Sequence, residues 1–323
     1  MKAIVWTQYG SPDGLRLTDI AKPQPKDNEI LVRVHAATVT AGDSEIRQAK
    51  ISPWLVLPMR LYMGLLRPRN IVLGQELAGV VEEVGSAVTR FKVGDAVFAA
   101  TGIGFGGYAE YARVPENGAV ALKPDGITFE EAATVPTAGI EALHFLSHAN
   151  IQPGQKVLIV GAGGSIGTFA IQIAKARGAE VTGIDVAAKF DTMQAAGADH
   201  VIDYTQQDFT RLPETYDVVL DVMGKTPFTG TLRRINPNGH YLLATSGLIQ
   251  KLRGLVTTMT GSKHVFASTP EQSAADLEAL KQLIEAGKVK PVIDRSYPLE
   301  QTAEAHRYVD SGNKRGNVVI TVA

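Results

Sequence analysis

The sequence predicts an α/β protein in which a doubly wound parallel sheet is combined with a second, β-rich domain. From residue 156 onward, short apolar strands alternate with helices at intervals of about 20 residues, which is typical of a parallel sheet. Residues 1–123 instead contain closely spaced strands separated by turn residues. The chain ends in NVVITVA, a strand with no obvious place in a six-strand parallel sheet. We therefore expect this last strand to close the first domain, which makes that domain discontinuous.

The composition is that of a globular protein and excludes several kinds of site. The 323 residues are 45% hydrophobic and 20% charged, which leaves room for two domains with cores of their own. A net charge of −1 predicts no nucleic-acid partner and no membrane partner. The absence of cysteine excludes disulfides, thiolate catalysis and cysteine-based zinc sites. Because the N-terminus lacks a signal-peptide pattern, we expect a cytoplasmic protein.

The first domain is predicted from β-rich segments bounded by glycine-containing turns. The predicted strands are Lys2–Trp6, Glu29–Val39, Gly79–Val84, Ala96–Ala99, Tyr108–Val114 and Ala119–Lys123. Ile51–Ile71 is apolar, but prolines and arginines interrupt it, so it is too short to span a bilayer. We interpret this segment, which includes Trp54, Leu61 and Tyr62, as a cleft-lining loop and short helix, with a surface-association patch as the alternative.

The second domain is predicted to occupy residues 124–287, leaving 1–123 and 288–323 to the first. Helices are expected at Phe129–Ala133 and Ala138–Ala149, before the first strand of the sheet. The predicted strands are Val157–Val160, Val181–Ile184, Val201–Asp203, Val218–Asp221 and His240–Ala244. A stripe of leucines from Leu277 to Leu283 indicates one further helix, which ends at Gly287.

A glycine-rich turn follows the first of these strands and predicts a dinucleotide site. Glycines allow the backbone to approach a pyrophosphate, whose charge suits the free N–H groups at a helix N-terminus. The predicted helix is Thr168–Arg177, and Asp185 ends the second strand, where an acid can bind a ribose hydroxyl. In the G-x-G-x-x-G frame the first glycine is replaced by Ala162, so a loop without a ligand stays the alternative. The predicted turn residues are Ala162, Gly163, Gly164, Ser165 and Ile166.

Several segments together resemble the medium-chain dehydrogenase/reductase superfamily, and most closely its zinc-independent, quinone-oxidoreductase-like branch. The segments are GDAVFAA, GGYAEYARVP, ALKPDGITFEEAATVPTAGIEAL, GADHVIDYTQQDF, YDVVLDVMG and GKVKPVIDRSYPLEQTAEAHRYVDSGNKRGNVVITV. The resemblance implies a GroES-like catalytic domain from both chain ends, a Rossmann NAD(P)-binding domain between them, and a cleft for cofactor and substrate. It also implies a homodimer paired through an edge strand, for which Lys263–Ser268 is the candidate.

The residues that bind zinc in zinc-dependent members of this superfamily are replaced in this sequence. Thr40 lies near the position of a cysteine ligand, and Gln75 stands where the histidine of a Gly-His-Glu motif would be. The loop between Thr101 and Tyr108 has no four-cysteine lobe. We therefore expect neither zinc nor another metal. Two alternatives remain open, an NAD(P)-dependent alcohol dehydrogenase and a non-catalytic NADPH-binding redox sensor.

An enzyme without a metal needs a substrate that carries its own electron sink, such as a quinone or an α,β-unsaturated carbonyl. By the resemblance, Thr40, Asp43 and Arg47 are the candidate catalytic residues for a small hydrophobic substrate. Asp43 has a turn cap as its alternative interpretation, and Arg47 has a structural ion pair. Glu76, in Gly-x-Glu-x-x-Gly, is expected to support the architecture rather than the chemistry.

The preferred nucleotide depends on residues after the second and third strands of the parallel sheet. Asp185 by itself favours NADH, because a carboxylate repels a 2′-phosphate. Lys189 and Tyr204 match positions that hold this phosphate in NADPH-dependent relatives, so NADPH is the preferred cofactor and NADH remains possible. The resemblance also implies cofactor contacts at Thr137, Val222, Thr245, Ser246 and Phe266. Thr137 has a helix cap as its alternative role.

Overall fold

The computed structural model describes residues 1–50, 53–69 and 71–322, with the side chains of 53–57 left out. The chain forms two compact units. The first consists of Met1–Thr137, Gln272–Glu285 and Val292–Ala323, and the second of Ala138–Glu271 and Ala286–Pro291. Both chain ends therefore contribute to the first unit.

The N-terminal part of the first unit consists mainly of strands. The strands are β1 (Lys2–Trp6), β2 (Leu15–Asp19), β3 (Glu29–Thr38), β4 (Ile71–Val72), β5 (Glu76–Val84), β6 (Ala96–Ala100), β7 (Tyr111–Pro115) and β8 (Ala119–Leu122). The helices are α1 (Ala41–Gln48), α2 (Pro53–Met63) and α3 (Phe129–Ala133). Strand β3 is buried along most of its length, because it pairs with β5 and β7 in the same sheet.

The second unit alternates strands and helices. Its strands are β9 (Lys156–Val160), β10 (Glu180–Asp185), β11 (His200–Asp203), β12 (Tyr216–Asp221), β13 (Ile235–Leu243) and β14 (His264–Phe266). Its helices are α4 (Pro136–Ser147), which begins at the unit boundary, α5 (Ser165–Ala176), α6 (Phe190–Ala195), α7 (Phe228–Arg233) and α8 (Leu248–Thr260). The six strands are parallel in the order β11-β10-β9-β12-β13-β14. This is the strand order of a Rossmann sheet, with its topological switch point beside β9.

The C-terminal part of the chain returns to the first unit. It consists of α9 (Ala274–Glu285), β15 (Ile293–Pro298), α10 (Thr302–Asp310) and β16 (Asn317–Thr321). Strand β16 pairs antiparallel with β3, with Val319 opposite Thr38, which confirms that the last strand belongs to the first sheet. Its buried Ile320 lies in one cluster with Trp6 from the start of the chain.

The packing differs from the predicted domain boundaries in two places. Helix α3 packs on β3 and β5, and α9 packs against β8, so both group with the first unit rather than with the parallel sheet.

Two elements begin at other residues than the sequence predicted. Helix α5 begins three residues before the predicted Thr168, because Gly164 already provides its extended N-cap. The predicted strand Tyr108–Val114 begins instead at Tyr111, and the Tyr108 ring lies in the core.

The apolar segment at residues 51–71 contains helix α2, in which Leu61 and Tyr62 are exposed. The side chain of Trp54 lies outside the described residues, so a cleft-lining role for this segment stays a prediction. In the part of the chain that the structure describes, no helix has both the length and the apolarity needed to cross a bilayer.

Candidate active site

The glycine turn between β9 and α5 has the backbone geometry that a dinucleotide phosphate requires. Gly161 adopts φ +83°, a left-handed conformation that favours glycine. A Cβ at Gly167 would lie 2.4 Å from the Gly161 carbonyl oxygen and 2.5 Å from the Ala162 Cα, so the helix packs directly on the turn. The N-cap residue Gly164 has no side chain that could accept from the first N–H groups of α5, so this end of the helix suits an anion. The turn therefore fits a pyrophosphate.

The acid at the end of β10 points at this turn and is paired. The Gly163 N–H donates to Asp185 Oδ2 at 3.1 Å, and the Val186 N–H donates to Oδ1 at 2.9 Å. The Lys189 ammonium lies 3.3 Å from Asp185 Oδ1. Both side chains are nearly buried, and Lys189 covers Gly163, where a Cβ would lie 2.6 Å from the Lys189 Cβ. A carboxylate that would repel a 2′-phosphate is thus neutralised by the lysine expected to bind one.

The other predicted cofactor residues follow parallel strands at their carboxyl ends. Tyr204 follows β11 and is half exposed, and Val222 follows β12. Thr245 and Ser246 come shortly after β13, and Phe266 ends β14. The Thr245 hydroxyl donates to the Val222 carbonyl at 2.9 Å, which brings two of these strand ends together. All of them lie at the edge of the sheet where ligands bind in doubly wound folds.

A surface pocket of the second unit lies at the opposite edge of the same sheet. It is lined by Lys156, Glu180, His200 and Tyr216, which are the first residues of β9, β10, β11 and β12. Since the turn predicted to bind phosphate is at the carboxyl edge, this pocket does not coincide with the predicted cofactor site.

In the first unit, Thr40 and Asp43 form a capping box at the start of α1. The Asp43 N–H donates to Thr40 Oγ1 at 3.0 Å, the Thr40 N–H donates to Asp43 Oδ2 at 3.0 Å, and the Thr40 hydroxyl donates to Asp43 Oδ2 at 2.7 Å. Asp43 is fully buried, and this burial raises the pKa of its carboxyl to about 6 against the opposing effect of the Thr40 hydrogen bonds. Thr40 is only partly buried and is the more accessible of the two.

Arg47, the third predicted catalytic residue, has a completely buried side chain. Its guanidinium donates to the Asp310 carboxylate, to the Gly10 carbonyl and to His306 Nδ1, the last at 3.3 Å. Burial, together with the Arg47 charge, lowers the pKa of His306 to about 3, so the imidazole is neutral at physiological pH. These contacts favour the structural ion pair over a contact with substrate.

Glu76, the first residue of β5, is a buried acceptor at the start of α4. The Thr38 hydroxyl donates to its Oε1, and the Thr137 N–H donates to its Oε2 at 2.7 Å. Burial is the main reason that the pKa of this carboxyl rises to about 7, and the nearby Asp43 raises it further. The bond to Thr137 supports the architectural role expected for Glu76, and it shows that Thr137 lies in the first turn of α4.

Comparisons with known proteins match the whole chain. Residues 26–125 match the family model for the alcohol dehydrogenase GroES-like domain, and residues 196–320 match that for zinc-binding dehydrogenase. The 2-methylene-furan-3-one reductase of Solanum lycopersicum is 33% identical over 332 residues, which cover 99% of this chain and 79% of the relative. The quinone oxidoreductase of Pongo abelii is 31% identical, with 97% and 95% covered. The chain belongs to the medium-chain dehydrogenase/reductase superfamily, in its quinone-oxidoreductase-like branch.

The structural comparison agrees with this placement in the superfamily. The crystal structure of Escherichia coli quinone oxidoreductase complexed with NADPH superimposes with a TM-score of 0.82 at 28% identity, covering 99% of this chain and all of that chain. The GroES-like unit and the Rossmann sheet expected from the sequence are both confirmed.

At the positions of the superfamily's zinc ligands, the structure brings Thr40 and Gln75 together. The Thr40 hydroxyl lies 3.4 Å from Gln75 Oε1, and the same amide oxygen lies 2.7 Å from where a Cβ at Gly42 would be. Among the described residues, no group of three or more His, Cys, Asp or Glu side chains could hold a metal ion. Zinc independence stays a prediction, which metal analysis can test.

Tyr108 lies beside Asp43 and Glu76, and sequence reasoning did not select it as a site residue. Its hydroxyl donates to the Thr38 carbonyl at 3.1 Å, and its ring meets the His306 ring edge-on. Burial and the adjacent Asp43 and Glu76 carboxyls raise the pKa of this phenol well above its ordinary value. Tyr108 is in the GGYAEY segment, so its place in the resemblance could have drawn attention to it.

Proposed function

We propose that this protein is an NADPH-dependent reductase of quinones or α,β-unsaturated carbonyls that works without zinc. Its family membership carries the proposal, together with the neutral Thr40 and Gln75 pair at the positions of two zinc ligands. The tomato relative is named for an exocyclic enone and the orangutan relative for a quinone. Both substrate types accept a hydride at carbon and place the resulting charge on a conjugated oxygen.

NADPH supplies the hydride when it is bound, and the chain supplies binding and orientation. The uncapped N-terminus of α5 and the turn from Ala162 to Ile166 hold the pyrophosphate. Lys189 and Tyr204 hold the 2′-phosphate, and Val222, Thr245, Ser246 and Phe266 line the rest of the nucleotide at the strand ends. Thr137, in the first turn of α4, contacts the nicotinamide.

On the substrate side, Thr40 is the residue that donates a hydrogen bond to the developing oxyanion, for which its hydroxyl turns its single proton from Asp43 Oδ2 toward the substrate. Asp43 is fully buried, so it positions the Thr40 hydroxyl and does not itself contact substrate. Arg47 is also buried, and its bonds to Gly10 and Asp310 hold α1 in place. The substrate is small and hydrophobic.

The test is an activity screen with purified protein and metal analysis of the same sample. We expect NADPH oxidation with enones and quinones, no oxidation of primary alcohols with NADP⁺, and turnover that a chelator leaves unchanged. Stoichiometric zinc together with alcohol oxidation would favour an alcohol dehydrogenase. Tight NADPH binding without turnover of any enone, quinone or aldehyde would favour a redox sensor.

The choice of NADPH can be tested at Lys189. In Lys189→Ala we expect about tenfold weaker binding of NADPH, because a charge-assisted bond to the 2′-phosphate is lost, while NADH binding changes little. Nucleotide fluorescence titrations measure both constants. Lys175→Ala, which removes a lysine paired with Asp199, is the matched control and should bind both nucleotides normally. Equal losses for the two nucleotides in Lys189→Ala would contradict the assignment.

The proposed assembly is a homodimer in the cytoplasm. Strand β14 is the edge of the parallel sheet, and one of its sides is unpaired in the described chain. Pairing of Lys263–Ser268 with the same strand of a second copy would extend the sheet across a two-fold axis. Light scattering of the purified protein measures its mass in solution and so distinguishes a homodimer from a monomer.

A further inference from the structure

Helix α8 packs on the protein through its small and polar side. Gly254 is its buried residue, and a Cβ at this position would lie 2.7 Å from Val265 Cγ1. One helical turn later, Thr258 Oγ1 accepts a hydrogen bond from the Val265 N–H at 2.9 Å. Gln250, one turn before Gly254, accepts from the Gly247 N–H at the N-terminus of the helix. A surface helix normally packs on the protein through its apolar side and turns its small and polar side to water. Helix α8 is oriented the opposite way.

The apolar side of α8 points away from the protein. Six side chains on this side are 56–76% exposed. They are Leu248, Ile249, Leu252, Leu255, Val256 and Met259, hereafter the α8 face. Spacings of three and four residues from Leu248 through Leu252 and Leu255 to Met259 place them along one stripe. A contiguous exposed apolar stripe of this size indicates a surface that another molecule covers.

The stretch of sequence that contains α8 carries positive charge and no negative charge. Residues 222–270 contain no Asp or Glu, although the whole chain has 33 of them. The same stretch contains Lys225, Arg233, Arg234, Lys251, Arg253 and Lys263. Among the described residues, none of these six cations forms an ion pair with a carboxylate. Lys251 and Arg253 flank the apolar stripe on α8 itself and are exposed.

These charges distinguish between the two occupants that an apolar face of this kind could have. A two-fold contact between two α8 faces would bring Lys251 and Arg253 of both copies into one interface, to which neither copy contributes an acid from residues 222–270. An anionic bilayer offers acyl chains to the stripe and phosphate or carboxylate groups to its flanking cations. The charge pattern therefore favours the bilayer.

We propose that the α8 face is a peripheral membrane-binding surface for anionic lipid. Leu252, Leu255 and Met259 insert at the level of the lipid headgroups, while Lys251 and Arg253 contact the anionic groups. Binding is reversible, since one amphipathic helix with a few cations gives modest affinity. The proposal is independent of the reductase activity, because it uses none of the residues assigned to cofactor or substrate.

Vesicle flotation tests the proposal with the full chain. The vesicles consist of phosphatidylcholine alone or of an equimolar mixture with phosphatidylserine. We expect the wild type to bind the mixed vesicles at least about tenfold more tightly, and the triple variant Leu252→Gln, Leu255→Gln, Met259→Gln to lose at least about tenfold of that binding. Lys251→Gln should lower the binding to mixed vesicles by about fivefold, the equivalent of about 1 kcal/mol per cation near the surface.

The matched control substitutes exposed apolar residues elsewhere, as Leu17→Gln, Val93→Gln, Ile103→Gln, and should float like the wild type. Circular dichroism and NADPH titration verify that each variant is folded. Wild-type protein that ignores the mixed vesicles, or a triple α8 variant that binds them normally, would overturn the proposal. So would a wild-type dimer that the α8 substitutions convert to a monomer while no form binds vesicles, since a second copy then covers the face.

Discussion

At the scale of single residues, the first unit keeps two carboxyl groups in places where their ionised forms are disfavoured. Asp43 and Glu76 are both buried, and burial raises their pKa values to about 6 and about 7. Each carboxyl also accepts hydrogen bonds, from Thr40 in one case and from Thr38 and Thr137 in the other. The folded state therefore binds more protons than the unfolded chain between about pH 4 and pH 7.

Glu76→Gln tests the consequence of this for stability. A raised carboxyl pKa means that the free energy of unfolding falls as the pH rises from the unfolded pKa through the folded one. Glutamine cannot ionise, so the variant should gain about 2 kcal/mol relative to wild type between pH 5 and pH 8. Urea titrations at the two pH values measure this difference. Glu83→Gln, a partly exposed acid on the same strand, should follow the wild type, and a Glu76→Gln variant that does so too would contradict the burial argument.

Sequence reasoning predicted the local contacts of these residues better than the distant ones. The interpretation of Asp43 as a cap follows from Thr40 three positions earlier, and the structure shows that capping box. The partner of Arg47 could not be identified from the sequence, because His306 and Asp310 lie far along the chain on α10. Only the pairing of β16 with β3, which returns the chain to the first sheet, places α10 beside α1.

At the scale of elements, two glycines at the start of α5, Gly164 and Gly167, are needed for different reasons. Gly167 lies in the first turn of α5, where the backbone of Gly161 and Ala162 occupies the space of a side chain. At Gly164 a Cβ would be in ordinary contact, 3.5 Å from the Gly161 carbonyl oxygen, and φ is −91°. The fold therefore requires glycine at 167, and only close approach of a ligand would require it at 164.

A pair of alanine substitutions separates these requirements. Gly167→Ala should destabilise the second unit by about 1–3 kcal/mol, because its Cβ meets backbone atoms that have little freedom to move. Gly164→Ala should leave the melting temperature nearly unchanged but weaken NADPH binding, since the methyl group would approach the pyrophosphate. Calorimetry and nucleotide titration measure the two effects. If Gly164→Ala binds NADPH normally, the pyrophosphate does not lie against this glycine.

The elements that sequence reasoning predicted share a feature that α8 lacks. The parallel strands β9, β10 and β12 are buried along most of their length, because both faces of the sheet are covered, and β9 and β12 contain continuous apolar runs. Helix α8, which has 13 residues, was not predicted. Its apolar stripe has helical spacing but points outward, so a pattern that normally identifies a core-facing helix here identifies a surface that only the structure could reveal.

At the scale of the whole molecule, a net charge near zero conceals an uneven distribution. Residues 222–270 contain no acid, and residues 46–75 also contain none while they carry five Lys and Arg. The second stretch includes Leu66, which is 90% exposed. The net charge of −1 predicts no membrane partner, but this total adds the charges of the two basic stretches to those of acidic stretches elsewhere. Electrostatic attraction to a bilayer depends on local charge within about 10 Å of the surface.

The first unit is assembled from both ends of the chain, so its stability should depend on the last strand as much as on the first. Ile320 of β16 is fully buried in the cluster that contains Trp6. Ile320→Ala should lower the free energy of unfolding of this unit by about 3 kcal/mol, the cost of a lost side chain and the cavity it leaves. Both tryptophans, at positions 6 and 54, are in this unit, and their fluorescence during urea titration measures the loss. Thr321→Ala, on the same strand but only partly buried, should cost less than about 1 kcal/mol. If the two variants unfold at the same urea concentration, then closure by β16 is not what stabilises the cluster that contains Trp6.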